Sequence, residues 1–256
     1  MKSSFRSHES SCTIHKAAIL QSAYIPWRGY FDMIAAVDDF IFYDDVQFSN
    51  GDWRNRNKIR TVAAAKWLTI PVWKTGRIQK PINEIHATSL QWGVDHWNKV
   101  AETYRKAPYF DEIRGLLEPI YLGGETQLSA INRNFIEAIC TYLGIKTRLH
   151  WSTDFARTEG KSQRLADLVD AVGASVYVSG PAAKNYLDET VFTEMGKSVE
   201  WFSYEDLKPY PQFHGGFETA VSIIDLLFNC GPSSSAYLPA LKGSGASLPA
   251  SPPETI

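Results

Sequence analysis

Cysteine is scarce in this chain. Three in 256 residues, Cys12, Cys140 and Cys230, show no CxxC spacing, which excludes a disulfide framework and a zinc knuckle and suits a reducing compartment. No run approaches the roughly 18 consecutive apolar residues that a transmembrane helix needs, so no membrane span is expected. The opening MKSSFRSHESSCTIHK contains no apolar core and does not read as a secretory signal. An excess of one charge is missing as well: a net charge of −2 argues against general binding to nucleic acid or a membrane surface. HExxH, GxSxG, GxGxxG and Walker loops are all absent, and so is a paired-Cys metal site. The expectation is a soluble, cytoplasmic protein with a small-molecule substrate, its cofactor and its oligomeric state left open by the sequence.

Aromatic residues are plentiful. They make up 13% of the chain, and five of its eight tryptophans lie between Trp53 and Trp97. Such rings fill cores, or they stack on sugars and bases while their edges hydrogen-bond.

The densest information lies in residues 18 to 59. An apolar strand, Ala18 to Gln21, runs through the turn Pro26-Trp27-Arg28-Gly29-Tyr30 into a helix, Gly29 to Val37. A second apolar strand, Phe40 to Tyr43, ends on Asp44 and Asp45, with Gln47 beyond and Trp53-Arg54-Asn55-Arg56-Asn57 soon after. Ligands of open α/β sheets sit beyond the carboxyl ends of the strands, and no strand needs this polar freight for its own sake. Further strands are predicted at Trp67–Val72, Arg148–Trp151, Ser175–Val178 and Ser198–Tyr204. Further helices are predicted at His96–Lys106, Tyr109–Ile120, Ser129–Leu143, Ser162–Val172 and Glu218–Phe228. Two helices stop on Gly144 and Gly173 and lead into strands, as βαβ crossovers do. The predicted fold is α/β, a mostly parallel sheet flanked by helices, with a helical insert in the middle of the chain after Trp92. Residues 1–15 and the Ser/Pro/Gly-rich 233–256 are expected to be disordered, leaving 16–232 as a single domain.

Each candidate has a plainer competitor. Asp44 and Asp45 suit a metal, a general acid and base, or a hydroxylated ligand; alternatively one caps a turn and the other pairs with Arg54 or Arg56. Arg56 and its alternating basic neighbours suit a phosphate or carboxylate, or form a solvated edge. Gln47, Asn55 and Asn57 offer neutral donors and acceptors. Ser179-Gly180 closes a later strand, from which Lys184 can reach the same crevice. Cys230, set in LLFNCGP, reads as a buried structural thiol rather than a nucleophile.

LQSAYIPWRGYFDMI, DDFIFYDDVQFSNGDWRNRNKI, WLTIPVWK, INEI, YRKAPYF, YLGI, VYVSGPAAKNYL and SIIDLLFNCGP resemble, in that order, the bacterial WbqC-like protein family. The resemblance covers about residues 17 to 232. Members typically open on a Met- or His-Gln-Pro triplet, from which Leu20-Gln21-Ser22 departs, so a mechanism relying on a histidine at position 20 is closed to this chain. The resemblance implies a tailoring enzyme of surface-polysaccharide or natural-product biosynthesis. Such an enzyme transfers an acyl or aminoacyl group, from a CoA or carrier-protein thioester, to an amine or hydroxyl such as that of an amino-sugar nucleotide. Its matching polar positions are Gln21, Tyr30, Asp44, Asp45, Gln47, Asn55, Arg56, Asn57, Lys106, Ser179, Lys184 and Asp225.

From these follow the expected roles. Asp44 or Asp45 serves as general base, Lys184 stabilises an oxyanion, and Arg56 neutralises an anionic group. Gln21, Trp27, Tyr30, Gln47, Trp53, Asn55, Asn57, Lys106, Ser179 and Gly180 bind substrate. All are expected in one pocket. An ATP-dependent ligase and a non-catalytic sugar-nucleotide or partner-binding module are the alternatives.

Overall fold

A computed structural model describes residues 14–73 and 79–244. Its strands are β1 (Lys16–Leu20), β2 (Asp39–Phe42), β3 (Arg56–Arg60), β4 (Ala65–Thr69), β5 (Arg148–Trp151), β6 (Val176–Ser179) and β7 (Ser198–Trp201). Five of them form a parallel sheet in the spatial order β5-β2-β1-β6-β7. The helices are α1 (Arg28–Ala35), α2 (Gln91–Tyr104), α3 (Phe110–Leu122), α4 (Leu128–Leu143), α5 (Lys161–Ala171), α6 (Glu189–Glu194) and α7 (Ile223–Cys230).

Side-chain alternation along the strands explains why both faces are covered. Ala17, Ile19 and Ile41 share a core with Leu168 and Val169 of α5 and Phe192 of α6. Ala18, Phe40 and Phe42 belong to a larger core with Phe31 of α1, Phe135 of α4 and Ile224 of α7. The chain therefore leaves β1 toward one face, through α1, and leaves β6 toward the other, through α6. Chain order reverses between these two adjacent strands, and the crevice beyond their carboxyl ends is where a doubly wound sheet holds its ligand.

Gly144 and Gly173 follow α4 and α5 at φ of 75° and 73°, the left-handed stop that both glycines predict. Helices α2, α3 and α4 follow one another between β4 and β5, where the insert is expected. The segment predicted as Trp67–Val72 is not part of the parallel sheet. It is β4, antiparallel to β3, because only Thr61–Ala64 separates the two and a parallel crossover needs about a dozen residues. The helix predicted at Glu218–Phe228 begins at Ile223, where the Ser222 hydroxyl accepts the Ile224 N–H at 3.3 Å.

The tail does not begin at Ser233. Residues Gly231–Tyr237 and Pro239–Ser244 form 3₁₀ turns that bury Ser234, Ala236 and Leu238, and the Ala240 N–H donates to Asp32 Oδ1 at 2.9 Å. Ser/Pro composition disfavours an isolated helix, but buried Ala236 and Leu238, with Tyr237 and Leu241 packed beside them, anchor this segment to a core that already exists. The expected disorder of residues 1–13 and 245–256 falls outside the described residues. Truncation at Pro232 should accordingly lower stability by about 2–4 kcal/mol, read by urea unfolding.

His15, placed in the disordered lead-in by its sequence, is ordered. It joins a polar knot at the amino-terminal edge of the sheet, opposite the crevice. The buried Asp39 carboxylate accepts Arg148 Nε at 2.8 Å and Nη2 at 2.6 Å, His150 Nε2 at 2.7 Å, and His15 Nε2. Burial alone raises this acid, but the hydrogen bonds from Arg148, His150 and His15 outweigh it and hold it at about 2. With a folded value below the ordinary 3.8, the contribution is complete above that pH and is lost as pH falls toward 2. It should amount to about 1–2 kcal/mol, since Arg148 is exposed and screened. Asp39→Asn should flatten the acid limb of a stability-against-pH profile in this window.

Candidate functional site

Between the end of β1 and the start of α1, residues Gln21 to Trp27 turn under restraint. Ile25 sits at φ 36°, a left-handed conformation that costs a β-branched residue roughly 1–3 kcal/mol. Side chains of the Arg/Asn cluster hold it there. Asn57 Nδ2 donates to the carbonyls of Tyr24 (3.1 Å) and Ile25 (2.9 Å). Arg54 Nη1 donates to those of Gln21 (2.9 Å) and Ser22 (3.0 Å). The Tyr24 hydroxyl is in turn buried against His96 Nδ1 at 2.8 Å and Tyr121 Oη at 3.2 Å.

The restrained turn walls a cavity of about 460 Å³ at the crossover point of the sheet. Gln21, Trp27, Tyr30, Trp53, Arg54, Asn57 and Tyr204 supply most of its chemistry. Trp27 and Tyr204 lie 4.9 Å apart between ring centroids and offer broad apolar surface. Gly29 makes room for them: a Cβ there would fall 2.4 Å from the Trp27 ring. Arg54 is the pocket's cation. Nη1 is spent on the turn and Nε faces Asp52 at 3.5 Å, while Nη2 meets no acceptor among the described residues. Tyr30 donates to the Gln21 carbonyl at 3.1 Å, and burial, reinforced by Asp44, holds its phenol protonated far above the usual range.

Behind the pocket lies a buried polar cluster. Asp44 Oδ1 accepts the Ser22 N–H at 2.8 Å, and Asn132 Nδ2 donates to Ser22 Oγ at 3.0 Å and to the Arg54 carbonyl at 2.9 Å. Burial raises the Asp44 carboxyl; the Ser129 and Ser22 hydroxyls, the Ser22 N–H and Arg54 pull the other way.

The profile of the WbqC-like protein family matches residues 21–237, from the first residue of this turn to the end of the first 3₁₀ segment after α7. The chain belongs to the WbqC-like protein family. It is 50% identical over 224 residues to Rv1507c, an uncharacterized protein of Mycobacterium tuberculosis, covering 87% of this chain and 97% of that one. No solved structure matches.

In this WbqC-like protein the structure gathers Gln21, Trp27, Tyr30, Trp53 and Asn57 around one cavity and places the other expected site residues elsewhere. Asp44 stands one layer behind. Asp45 receives the Ser152 hydroxyl and faces Arg164 at 3.5 Å, joining the end of β2 to the start of α5. Asn55 closes the hairpin by donating to the Ile70 carbonyl at 2.8 Å. Arg56 lies over the Trp67 ring at 4.3 Å and donates to the Gly51 carbonyl. Gln47 bridges to Pro81 through its backbone, and Lys106 lines a different cavity. Ser179 is buried and donates to Tyr177 Oη at 3.3 Å. Lys184 sits over Trp201 at 5.5 Å, away from the pocket. A Cβ at Gly180 would lie 3.9 Å from Tyr204 Oη, so this residue borders the pocket wall. The expected single pocket for all of them is therefore corrected to a smaller set: strand-end position places a residue near the crevice, but its strand face decides whether it looks in.

Sequence reasoning missed Tyr204, which follows β7 and reaches the pocket only through tertiary folding. It also missed Ser22 and Asn132; the one available signal was a serine interrupting an apolar strand end. Asp225 takes no part in the pocket, accepting the hydroxyls of Tyr104 and Tyr210 at 2.9 Å each. Burial pushes the Cys140 and Cys230 thiols up to about 12. Among the described residues no group of three or more His, Cys, Asp or Glu is placed to hold a metal, and no helix is long and apolar enough to cross a membrane.

Proposed function

We propose that this WbqC-like protein is a transferase that seats a small polar substrate in the cavity at the end of β1. There it moves an acyl or aminoacyl group onto the substrate's amine or hydroxyl. The observation that carries this reading is the position of the cavity: it opens at the crossover point of a doubly wound sheet, walled by aromatic rings and one incompletely paired guanidinium. Trp27 and Tyr204 take a flat ring or sugar face, Arg54 Nη2 an anionic oxygen, and the Gln21 amide a hydroxyl.

Transfer is direct. With both described thiols protonated and buried, the acceptor nitrogen attacks the thioester carbonyl carbon, the C–N bond forms, and the C–S bond breaks. The departing thiolate takes up the proton that the amine gives up. Asp44 acts through Ser22 as a positioning residue, fixing the turn that carries Gln21. A second reading, an ATP-using ligase, is favoured by the strand order, which nucleotide-binding sheets share.

Thermal-shift titration separates the two. Stabilisation by an amino-sugar nucleotide that weakens in Trp27→Ala, together with a shift from acyl thioesters, supports the transferase. A shift with ATP and Mg²⁺ but none with thioesters selects the ligase.

A further inference from the structure

A second cavity, about 640 Å³, is walled by the β3–β4 hairpin and the carboxyl-terminal half of α2. Lys66 of β4, Lys99 of α2, and Arg105 and Lys106 just past its end point their charges around it, against one carboxylate, Glu102. All four cations are exposed, and none has an ion-pair or hydrogen-bond partner among the described residues. The whole chain carries 26 cationic and 28 acidic side chains, so this local excess runs against its overall balance. Favourable interaction with a helix carboxyl terminus accounts for Arg105 and Lys106. It does not account for Lys99, inside the helix, or for Lys66, on a strand. Gathering like charges in a cleft raises their mutual repulsion, and a bound polyanion relieves it. Two rings complete the lining, Trp67 and Phe213, 42% and 47% exposed. Arg56 and Lys58 already lie over the Trp67 ring, at 4.3 Å and 5.0 Å, so it is Phe213 that offers a flat aromatic group the face that the lysines cannot.

We propose that this cleft is a second binding site, for a phosphate-rich small molecule that carries a flat ring: a nucleoside diphosphate or a coenzyme built on one. The two cavities are neighbours. Asn57 lines one and Ile59 the other, two residues apart on the same face of β3 and so separated by about 7 Å. Trp67 of the cationic cleft and Trp53 of the substrate pocket lie 5.2 Å apart between ring centroids. A molecule lying across this Trp53–Trp67 ridge sets its phosphates among Lys66, Lys99 and Lys106 and extends its other end toward Trp27 and Arg54. That it is the acyl donor of the reaction rests on the transferase reading; the affinity for polyphosphate does not.

Isothermal titration of the full chain with inorganic pyrophosphate, ADP and adenosine tests the site. ADP should bind more tightly than pyrophosphate, adenosine should give no signal, and added salt should weaken both anions. Lys99→Glu combined with Lys106→Glu should weaken ADP by about tenfold or more, whereas Lys99→Arg with Lys106→Arg should retain it. Trp27→Ala should leave ADP affinity within about twofold. No heat from ADP or pyrophosphate at low salt would overturn the assignment. So would an affinity untouched by charge reversal, an affinity lost in Trp27→Ala, or capture of polyglutamate but not of ADP. Loss of ADP affinity in Trp27→Ala would move the nucleotide to the pocket at the end of β1; the other outcomes do not bear on what that pocket takes, so the two proposals fail separately.

Discussion

Asn57→Ala should destabilise the protein by about 3 kcal/mol or more, because it removes the donor to two carbonyls at once. The side chain is buried, its Nδ2 serves Tyr24 and Ile25, and its Oδ1 accepts the Lys58 N–H at 2.8 Å. The left-handed Ile25 then loses what holds it. Urea unfolding reads the loss. Asn57→Asp should be about as damaging, since it turns an acceptor toward two carbonyl oxygens in place of a donor. A loss under about 1 kcal/mol for either variant would mean that the turn keeps its shape without this clamp.

The second large effect belongs to Arg54. Arg54→Ala removes the pocket's cation together with the restraint on Gln21 and Ser22, so an anionic substrate should bind about 10- to 100-fold more weakly, a change of roughly 1–3 kcal/mol. Arg54→Lys distinguishes the two contributions. A lysine keeps the charge but has no planar fork to serve both carbonyls and a ligand, so binding should recover only in part. Full recovery by lysine would reduce Arg54 to a point charge and remove the turn's geometry from the account.

Much of the architecture was legible because the central strands β1, β2 and β6 are short and largely apolar, with helices between the strands of the sheet. Ala17 to Leu20 and Phe40 to Phe42 have no polar residue to place, and Gly144 and Gly173 mark where their helices must stop. The hairpin was misplaced because Trp67 to Val72 carries the same apolar signal as a sheet strand; the short Thr61–Ala64 link is what forbids a parallel partner. The ordered part of the tail was hidden because Leu238 and Ala236 are apolar islands in a Ser/Pro background, stabilised only by a core built elsewhere in the chain.

The site was legible in place but not in detail. Polar residues after β1 and β2 do mark the crevice, yet Arg54 Nη1 and Asn57 Nδ2 are spent on the protein's own turn. Asp45, Arg56 and Lys184 point toward local partners, Arg164, Trp67 and Trp201, that lie far away in sequence or across a strand pair. No local pattern encodes such partners. Tyr204 is the converse case: an ordinary tyrosine beyond a strand, made a pocket wall by the sheet order that sets β6 beside β1 and β7 beside β6.

The central claim is that substrate sits at the carboxyl end of β1, and a crystal structure with a bound amino-sugar nucleotide tests it most directly. The account predicts a ring or sugar face against Trp27 and Tyr204, with an anionic oxygen within hydrogen-bonding distance of Arg54. Ligand seated instead between Asp45 and Lys184, with the β1 pocket empty, would contradict it.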